Sequence, residues 1–360
     1  MNRHRVRVGL IAAVALLVQT ALAGPIAAQD ATPAASPGAG MTVDQFAVVT
    51  PGSRTNQGWD QQGADAADEV AERLGIESIV AENAGYEDIT PILRDLVASG
   101  ADLISCHASG YQTLCAEFAA ESNVPVAVTE LQSAIVPGLV SSIDPLAHEA
   151  AYLAGVLAGE VTETGTVGVV VSGEPPTWNY MTVGFAEGLK ATNPDAQLLY
   201  SVIGEAAYDD AAGAKRVTEQ QLAANADVIF GMGDGASFGM IQAIEEHNAQ
   251  DGATRAWFID VIGDKTAEHG DVLLSSVLFD YSGVYEQMVE DLAAGTFGKS
   301  YVMNVENEGV RLLEPPGEIS QEVKDSVAAA QEQIVGGEIE VPAVGDAAEM
   351  QARLAELFPQ

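Results

Sequence analysis

The sequence predicts an α/β protein made of two doubly wound parallel-sheet lobes with a ligand cleft between them. The order of its elements and an internal repeat carry that prediction. From Met41 onward, short β-rich runs alternate with longer helical ones, and such alternation builds parallel β–α–β units with helices on both sheet faces. In the first half, FAVVT (46–50) is followed by a helix from Gln61 to Leu74, SIVAE (78–82), a helix from Ile89 to Ser99, DLISC (102–106), a helix from Tyr111 to Glu121 and PVAVT (125–129). The second half repeats that order: VGVVV (167–171), MTVGFAEGLKA, LLYSVI, AAGAKRVTEQQLAA, DVIFG, FGMIQAIEEH and AWFIDV (256–261).

The repeat extends to single residues. GADLISCHASGYQ (100–112) and NADVIFGMGDGAS (225–237) align without gaps at an offset of 125, matching Ala101 with Ala226, Asp102 with Asp227, Ile104 with Ile229 and Gly110 with Gly235. Trp59 and Trp178 each follow the first strand of their half. A shared offset of this kind marks duplicated lobes. The 360 residues also exceed what one core holds, since cores rarely grow beyond about 250 to 300 residues.

The chain opens with three arginines, an uncharged run from Val8 to about Ala23 and the small-residue pattern Ala21-Leu22-Ala23. That is the pattern of an export signal over 1–28, with Ala23 and Ala28 as candidate cleavage positions. A membrane span needs about 20 apolar residues and this run is shorter. Residues 29–41, rich in Ala, Pro, Gly and Ser, read as a flexible linker. No cysteine precedes Cys106, so no thiol for lipidation lies near the signal; the expected location is periplasmic or at the cell surface, without a lipid anchor.

The formal charge of −37 argues against nucleic acid and anionic membranes as partners. Hydrophobic residues make up 48% of the chain, too many for an acidic disordered tail. Cys106 and Cys115, nine apart, can either bridge in an oxidising compartment or stay as small buried thiols. No CxxC pair or histidine cluster accompanies them, so no metal or other cofactor is expected.

In doubly wound sheets, ligands bind beyond the carboxyl ends of the strands. Two facing lobes therefore pool their strand-end loops, here 51–60, 82–88, 107–111 and 129–133 with 172–179, 204–210, 231–237 and 260–265. These loops place Asn56, Trp59, Asp60, Ser109, Tyr111, Trp178, Tyr208, Asp234 and Asp260 as candidate ligand-binding residues. Aromatic rings interleaved with polar groups suit a flat polar molecule. Asp234, in a glycine-rich loop before a helix, can alternatively cap that helix. The same loop lacks the GKS/T ending of a phosphate loop. Asp102 and Asp227 precede buried strands and read as structural, and His107 as a satisfied polar side chain rather than a base. With no GxSxG elbow, no HExxH and no catalytic residue to name, an enzyme is not expected.

Several blocks in order resemble the basic membrane protein family of ABC-transporter solute receptors, the PnrA-like group that includes a purine nucleoside receptor. TNQGWDQQG (55–63) resembles its first-loop Asn-Asp-x-Ser-Phe-Asn motif, and HEAAYLAGVLAGEVTETGTVGVV (148–170) its lobe-connecting helix and strand. VGFAEGLKATNPDA, ADVIFGMGDGASFG and LLSSV are similar to further blocks, so the likeness covers roughly residues 43 to 341. The resemblance implies a type I periplasmic-binding-protein fold with three hinge crossings and a monomeric receptor that delivers a nucleoside-like ligand to an ABC permease. It places Trp59 at the first-loop aromatic, Asn56 and Asp60 at polar positions, Tyr208 near the second aromatic, and Asp260 or Asp264 as the second-lobe carboxylate. Three positions depart: Thr50 and Thr129 stand where relatives have Asp, Glu130 follows the latter, and Phe279 stands where relatives have Lys. A sugar or another heterocycle, or a sensory or adhesive ectodomain on the same body, are the rival readings.

The expected lobes are 42–143 plus about 277–300, and 144–276 plus about 301–342, with a peripheral C-terminal helix in 343–360.

Overall fold

The structure, a computed structural model, describes residues 40–359. The expected signal, 1–28, and all but the last two residues of the linker lie outside the described residues. Met41 already belongs to the fold, its N–H bonded to the Leu292 carbonyl at 2.9 Å.

The first run comprises β1 (Gln45–Val49), α1 (Trp59–Leu74), β2 (Glu77–Ala81), α2 (Thr90–Ala98), β3 (Leu103–Cys106), α3 (Gln112–Ser122), β4 (Val126–Thr129) and β5 (Val140–Pro145). The second comprises α4 (Ala147–Val161), β6 (Thr166–Val171), α5 (Pro176–Thr192), β7 (Gln197–Val202), α6 (Ala211–Ala223), β8 (Val228–Met232), α7 (Ser237–Asn248), β9 (Trp257–Val261), α8 (Thr266–His269) and β10 (Leu273–Phe279). The chain then returns through α9 (Ser282–Ala294), β11 (Ser300–Met303), β12 (Val310–Leu312), α10 (Gln321–Val335) and α11 (Ala347–Leu357).

Two six-stranded sheets result, ordered β11-β5-β4-β3-β1-β2 and β12-β10-β9-β8-β6-β7. They share one strand order, so the repeat in the sequence is a repeat of lobes. Every pairing is parallel except β10 with β12. The strand order reverses at β1/β3 in one lobe and at β6/β8 in the other, which opens a crevice at each switch point.

β6 (TVGVVV) and β8 (VIFGM), each flanked by strands on both sides, are buried along their whole length. Asp102 accepts from the N–H groups of Asp44 and Gln45, while Asp227 accepts from Thr162 and from the N–H groups of Glu163 and Thr164. Both aspartates thus satisfy backbone groups at the rear of their sheets, as their matching positions indicate.

Passage between the lobes occurs three times: after β5, between β10 and α9, and between β11 and β12. The second passage follows Phe279, and Ser300–Met303 still lies in the first sheet. At the hinge, α4 packs closely on α5, because a Cβ at Gly155 would sit 2.1 Å from the Phe185 carbonyl oxygen and one at Gly188 2.0 Å from that of Tyr152. Beyond β12, α10 packs on α4 and α11 on α5; Met350 and Leu354 of α11 bury against Val183 and Ala186. Among the described residues, no helix is long and apolar enough to cross a membrane.

Candidate functional site

Helix α1 starts at Trp59, two residues before its apolar pattern suggests, because the loop ahead is folded by its own polar side chains. Asn56 Oδ1 accepts from the N–H of Gly58 at 3.0 Å and of Gln61 at 3.4 Å, and its amide donates to Asp60 Oδ2 at 2.7 Å. Asp60 Oδ1 takes the Gly52 N–H at 2.9 Å. Burial raises the Asp60 pKa above the usual carboxylate value, while the bonds from Gly52 and Asn56 oppose that rise. Asn56 and Asp60 therefore shape the loop that carries Trp59.

Trp59 is half-buried, and protein covers much of it. One face stacks on His107, with centroids 4.7 Å apart and planes at 26°, while Phe279 and Tyr281 meet it edge-on at 5.7 Å. Its Nε1 donates to the His107 carbonyl at 2.9 Å. Phe279 thus packs on this aromatic group.

Lobe 2 brings its own switch-point loop to the same place. Asp234 Oδ1 lies 3.5 Å from the Trp59 backbone N–H, and its pKa is pushed up to about 7 by burial and by the nearby Asp60. Asp260 is fully buried, accepting from Ser237 at 3.0 Å and pairing with Lys265 Nζ at 2.5 Å. Lys265 also donates across the cleft to the Gln57 carbonyl at 3.0 Å. Asp264 is exposed and accepts the Thr266 N–H, so Asp260 is the buried one of the two second-lobe carboxylates. Gln57, Glu130, Asp234 and Ile262, none of them glycine, have φ of 54°, 56°, 47° and 75°. All four lie in loops at the carboxyl ends of strands, where such strain clusters at ligand clamps.

The other candidates are placed less centrally. Tyr111 is buried and its hydroxyl donates to the Gly85 carbonyl, while Ser109, half-buried, opens the short helical turn before it. Cys106 and Cys115 are joined in a disulfide that clamps this loop to α3. Trp178 is buried and supports half-buried Tyr208, ring edge to face at 5.3 Å. Tyr86, which the sequence reading passed over, is 63% exposed and its ring lies 6.1 Å from that of Tyr111. Lys265 was missed as well; its only signal was a lysine inside a strand-end loop, 260–265, that is otherwise free of positive charge. Thr50 and Thr129 are buried at the carboxyl ends of β1 and β4, and Glu130 accepts from Thr177 of lobe 2 at 2.5 Å.

Duplicated parallel sheets whose strand-end loops meet over a shared cleft define a two-lobed substrate-binding protein. The chain belongs to the Bmp family, the PnrA-like ABC transporter substrate-binding proteins, whose sequence profile it matches over residues 43–344. It is similar to a CD4+ T-cell-stimulating antigen of Listeria monocytogenes, 28% identical over 206 residues that cover 54% of this chain and 57% of the relative. An ABC transporter nucleoside-binding protein of Lactococcus lactis is 26% identical over 207 residues, covering 54% of this chain and 58% of that protein. The chain thus spans little more than half the length of these relatives. The crystal structure of an ABC transporter solute-binding protein from Aeropyrum pernix superposes with a TM-score of 0.74 at 19% identity, covering 88% of this chain and 99% of that one, and supports the fold.

Proposed function

We propose that this protein is the extracytoplasmic receptor of an ABC importer and that it closes its two lobes around a nucleoside-like solute. The observation that carries this reading is the contact between switch-point loops of opposite lobes, Lys265 with Gln57 and Asp234 with Trp59. Contacts of this kind exist only when the lobes meet, so a ligand that adds to them favours closure, and the closed shape is what a permease can recognise. Trp59 and Tyr208 supply flat apolar faces, Asp234 and Asp260 acceptors for hydroxyl groups, and Lys265 a donor. The nucleoside-binding relative points to the same class of solute. In this reading the receptor works as a monomer and performs no chemistry on its cargo.

A second reading, a sugar or another heterocycle, is favoured by one observation: His107 already occupies one face of Trp59 and Phe279 meets its edge, which leaves less ring for a base.

The test is a thermal-shift screen of the chain, refolded to strip carried-over ligand, against nucleosides, nucleobases, sugars and amino acids. A ligand at 100 times its dissociation constant adds about 2.7 kcal/mol of stability. A rise with adenosine, guanosine or inosine supports the nucleoside reading, and Trp59→Ala is then expected to weaken binding by about 1 to 3 kcal/mol in calorimetry. Silence from all nucleosides with a response to a sugar would transfer the cleft to the second reading.

A further inference from the structure

A second cavity, of about 340 Å³, lies where the chain first crosses between the lobes. Its wall includes Glu130, Gln132 and Asp144 at the end of lobe 1, His148 of α4, Tyr180 of α5 and Ala343 of the C-terminal segment. Trp59, Asp60, Asp234 and Asp260 take no part in it. Its size falls at the lower end of the roughly 300 to 1,000 Å³ of small-molecule pockets.

Two carboxylates share this wall without a cation. Asp144, 7% exposed, accepts from Ser142 at 2.7 Å, from Gln132 at 3.1 Å and from Ser300. Glu130 accepts from Thr177. All of these donors are neutral, and neither lysine nor arginine is in the lining. Buried negative charge without a counter-ion is costly, and a group that loses its partner to burial is normally paired or neutralised. The Glu130 carboxyl is accordingly pushed up to about 7, by burial first and by Asp144 in addition.

His148 brings a neutral imidazole to the same wall. It is 6% exposed, lines the cavity, and its Nδ1 has no hydrogen-bond partner among the described residues. Burial holds its pKa near 4, so the ring is neutral and does not serve as the counter-charge for Glu130. Leaving a buried polar atom without a partner costs about 1 to 3 kcal/mol.

We propose that this cavity is a second ligand site, which takes a small organic amine in its ammonium form. The ammonium would place its N–H donors on the Glu130 and Asp144 carboxylates, a remaining amine hydrogen would reach His148, and the Tyr180 ring would face the cation. The wall has no cluster of three ligating side chains of the kind a metal needs among the described residues, whereas its apolar part, Leu131, Pro145, Leu146 and Ala343, suits a carbon chain.

The experiment is isothermal titration of the chain with 1,4-diaminobutane, with 1,4-butanediol as the uncharged control. Saturable binding of the diamine alone is expected, weakened at least about tenfold by Glu130→Gln through loss of a charge-assisted bond. His148→Phe, which keeps the volume of the wall, is expected to weaken it too, and Trp59→Ala to leave it unchanged. Circular dichroism checks that each variant is folded, and if Glu130→Gln is not, the His148→Phe comparison decides. Absence of saturable binding overturns the proposal, as does equal binding of the diol. Diamine binding that ignores both cavity variants would be attraction to the acidic surface, and binding lost in Trp59→Ala would belong to the cleft; either result also overturns it.

Discussion

Trp59 and His107 hold each other by reciprocal hydrogen bonds: the indole Nε1 donates to the His107 carbonyl, and His107 Nε2 meets the Trp59 carbonyl, both at 2.9 Å. A carbonyl only accepts, so Nε2 carries the proton and Nδ1 is left to accept from the Tyr285 hydroxyl at 3.2 Å. Ser105 in turn donates to the Tyr285 oxygen at 3.2 Å. The relay joins β3, α1 and α9 beneath the cleft, and it needs a neutral imidazole.

Removing that ring takes the acceptor from the Tyr285 O–H and one donor from the Trp59 carbonyl, and leaves a cavity against Trp59. His107→Ala is expected to cost about 2 to 4 kcal/mol of unfolding free energy. His107→Phe keeps the stacking and should lose less. Urea denaturation of the three proteins measures the difference, and a loss below about 0.5 kcal/mol for the alanine variant would show the relay to be dispensable.

Lys265 and Asp260 are both withdrawn from solvent, 1% and 0% exposed. Taking away only the lysine leaves Asp260 as an uncompensated buried charge, so Lys265→Met is expected to destabilise by about 3 to 5 kcal/mol. Replacing both, with Asp260→Leu added, should recover most of that loss. Recovery of stability without recovery of ligand binding would separate the role of the pair in folding from its role in the cleft.

Protonation of two buried carboxyl groups sets a pH dependence. Glu130 and Asp234 are both pushed up to about 7 by burial, from ordinary values of 4.5 and 3.8. Between about pH 8 and pH 6 the folded protein therefore takes up protons that the unfolded chain does not, and stability rises as pH falls, by about 1.4 kcal/mol per group. His107 and His148 act in the other direction: burial lowers both from 6.5 to about 4, so below about pH 6.5 the unfolded chain gains protons that the folded one refuses. The expected profile climbs from pH 8 to about pH 6 and stops climbing there. Glu130→Gln with Asp234→Asn should flatten the climb, and a wild-type stability that increases from pH 6 to pH 8 would contradict the assignment.

How far the sequence foretold this is clearest at the repeat. Ser109 and Asp234, paired by the offset, each open a three-residue helical turn, and α3 and α7 start at the paired residues Gln112 and Ser237. Short-range pattern fixes such features, because apolar strands and small residues recur at fixed spacing. The partners of Trp59 follow no such rule. His107 is 48 residues away, and Phe279 and Tyr281 arrive from the far end of lobe 2, so their packing leaves no periodic trace. Lys265 looks like a solvated loop charge until the fold buries it against Asp260. The third crossing was obscure for a related reason: β11 and β12 are only four and three residues long, too short for an apolar run.

Closure of the lobes can be tested at Gly263, in the loop between β9 and α8. A Cβ there would lie 2.2 Å from the Gln57 carbonyl oxygen and 2.7 Å from Lys265 Nζ, atoms that meet across the cleft. The first of these neighbours is backbone and cannot swing aside, so Gly263→Ala forces the two loops apart. Gly263 is buried where the two lobes meet and not within either apolar core, so each lobe is expected to keep its fold while the closed state loses population. A ligand that needs both lobes then binds more weakly, in proportion to the fraction of closed-competent protein that is lost. Small-angle scattering with saturating ligand would show a larger radius of gyration for Gly263→Ala than for wild type, and calorimetry a weaker affinity. Equal affinity with equal radius would mean that the Gln57–Lys265 contact plays no part in closure.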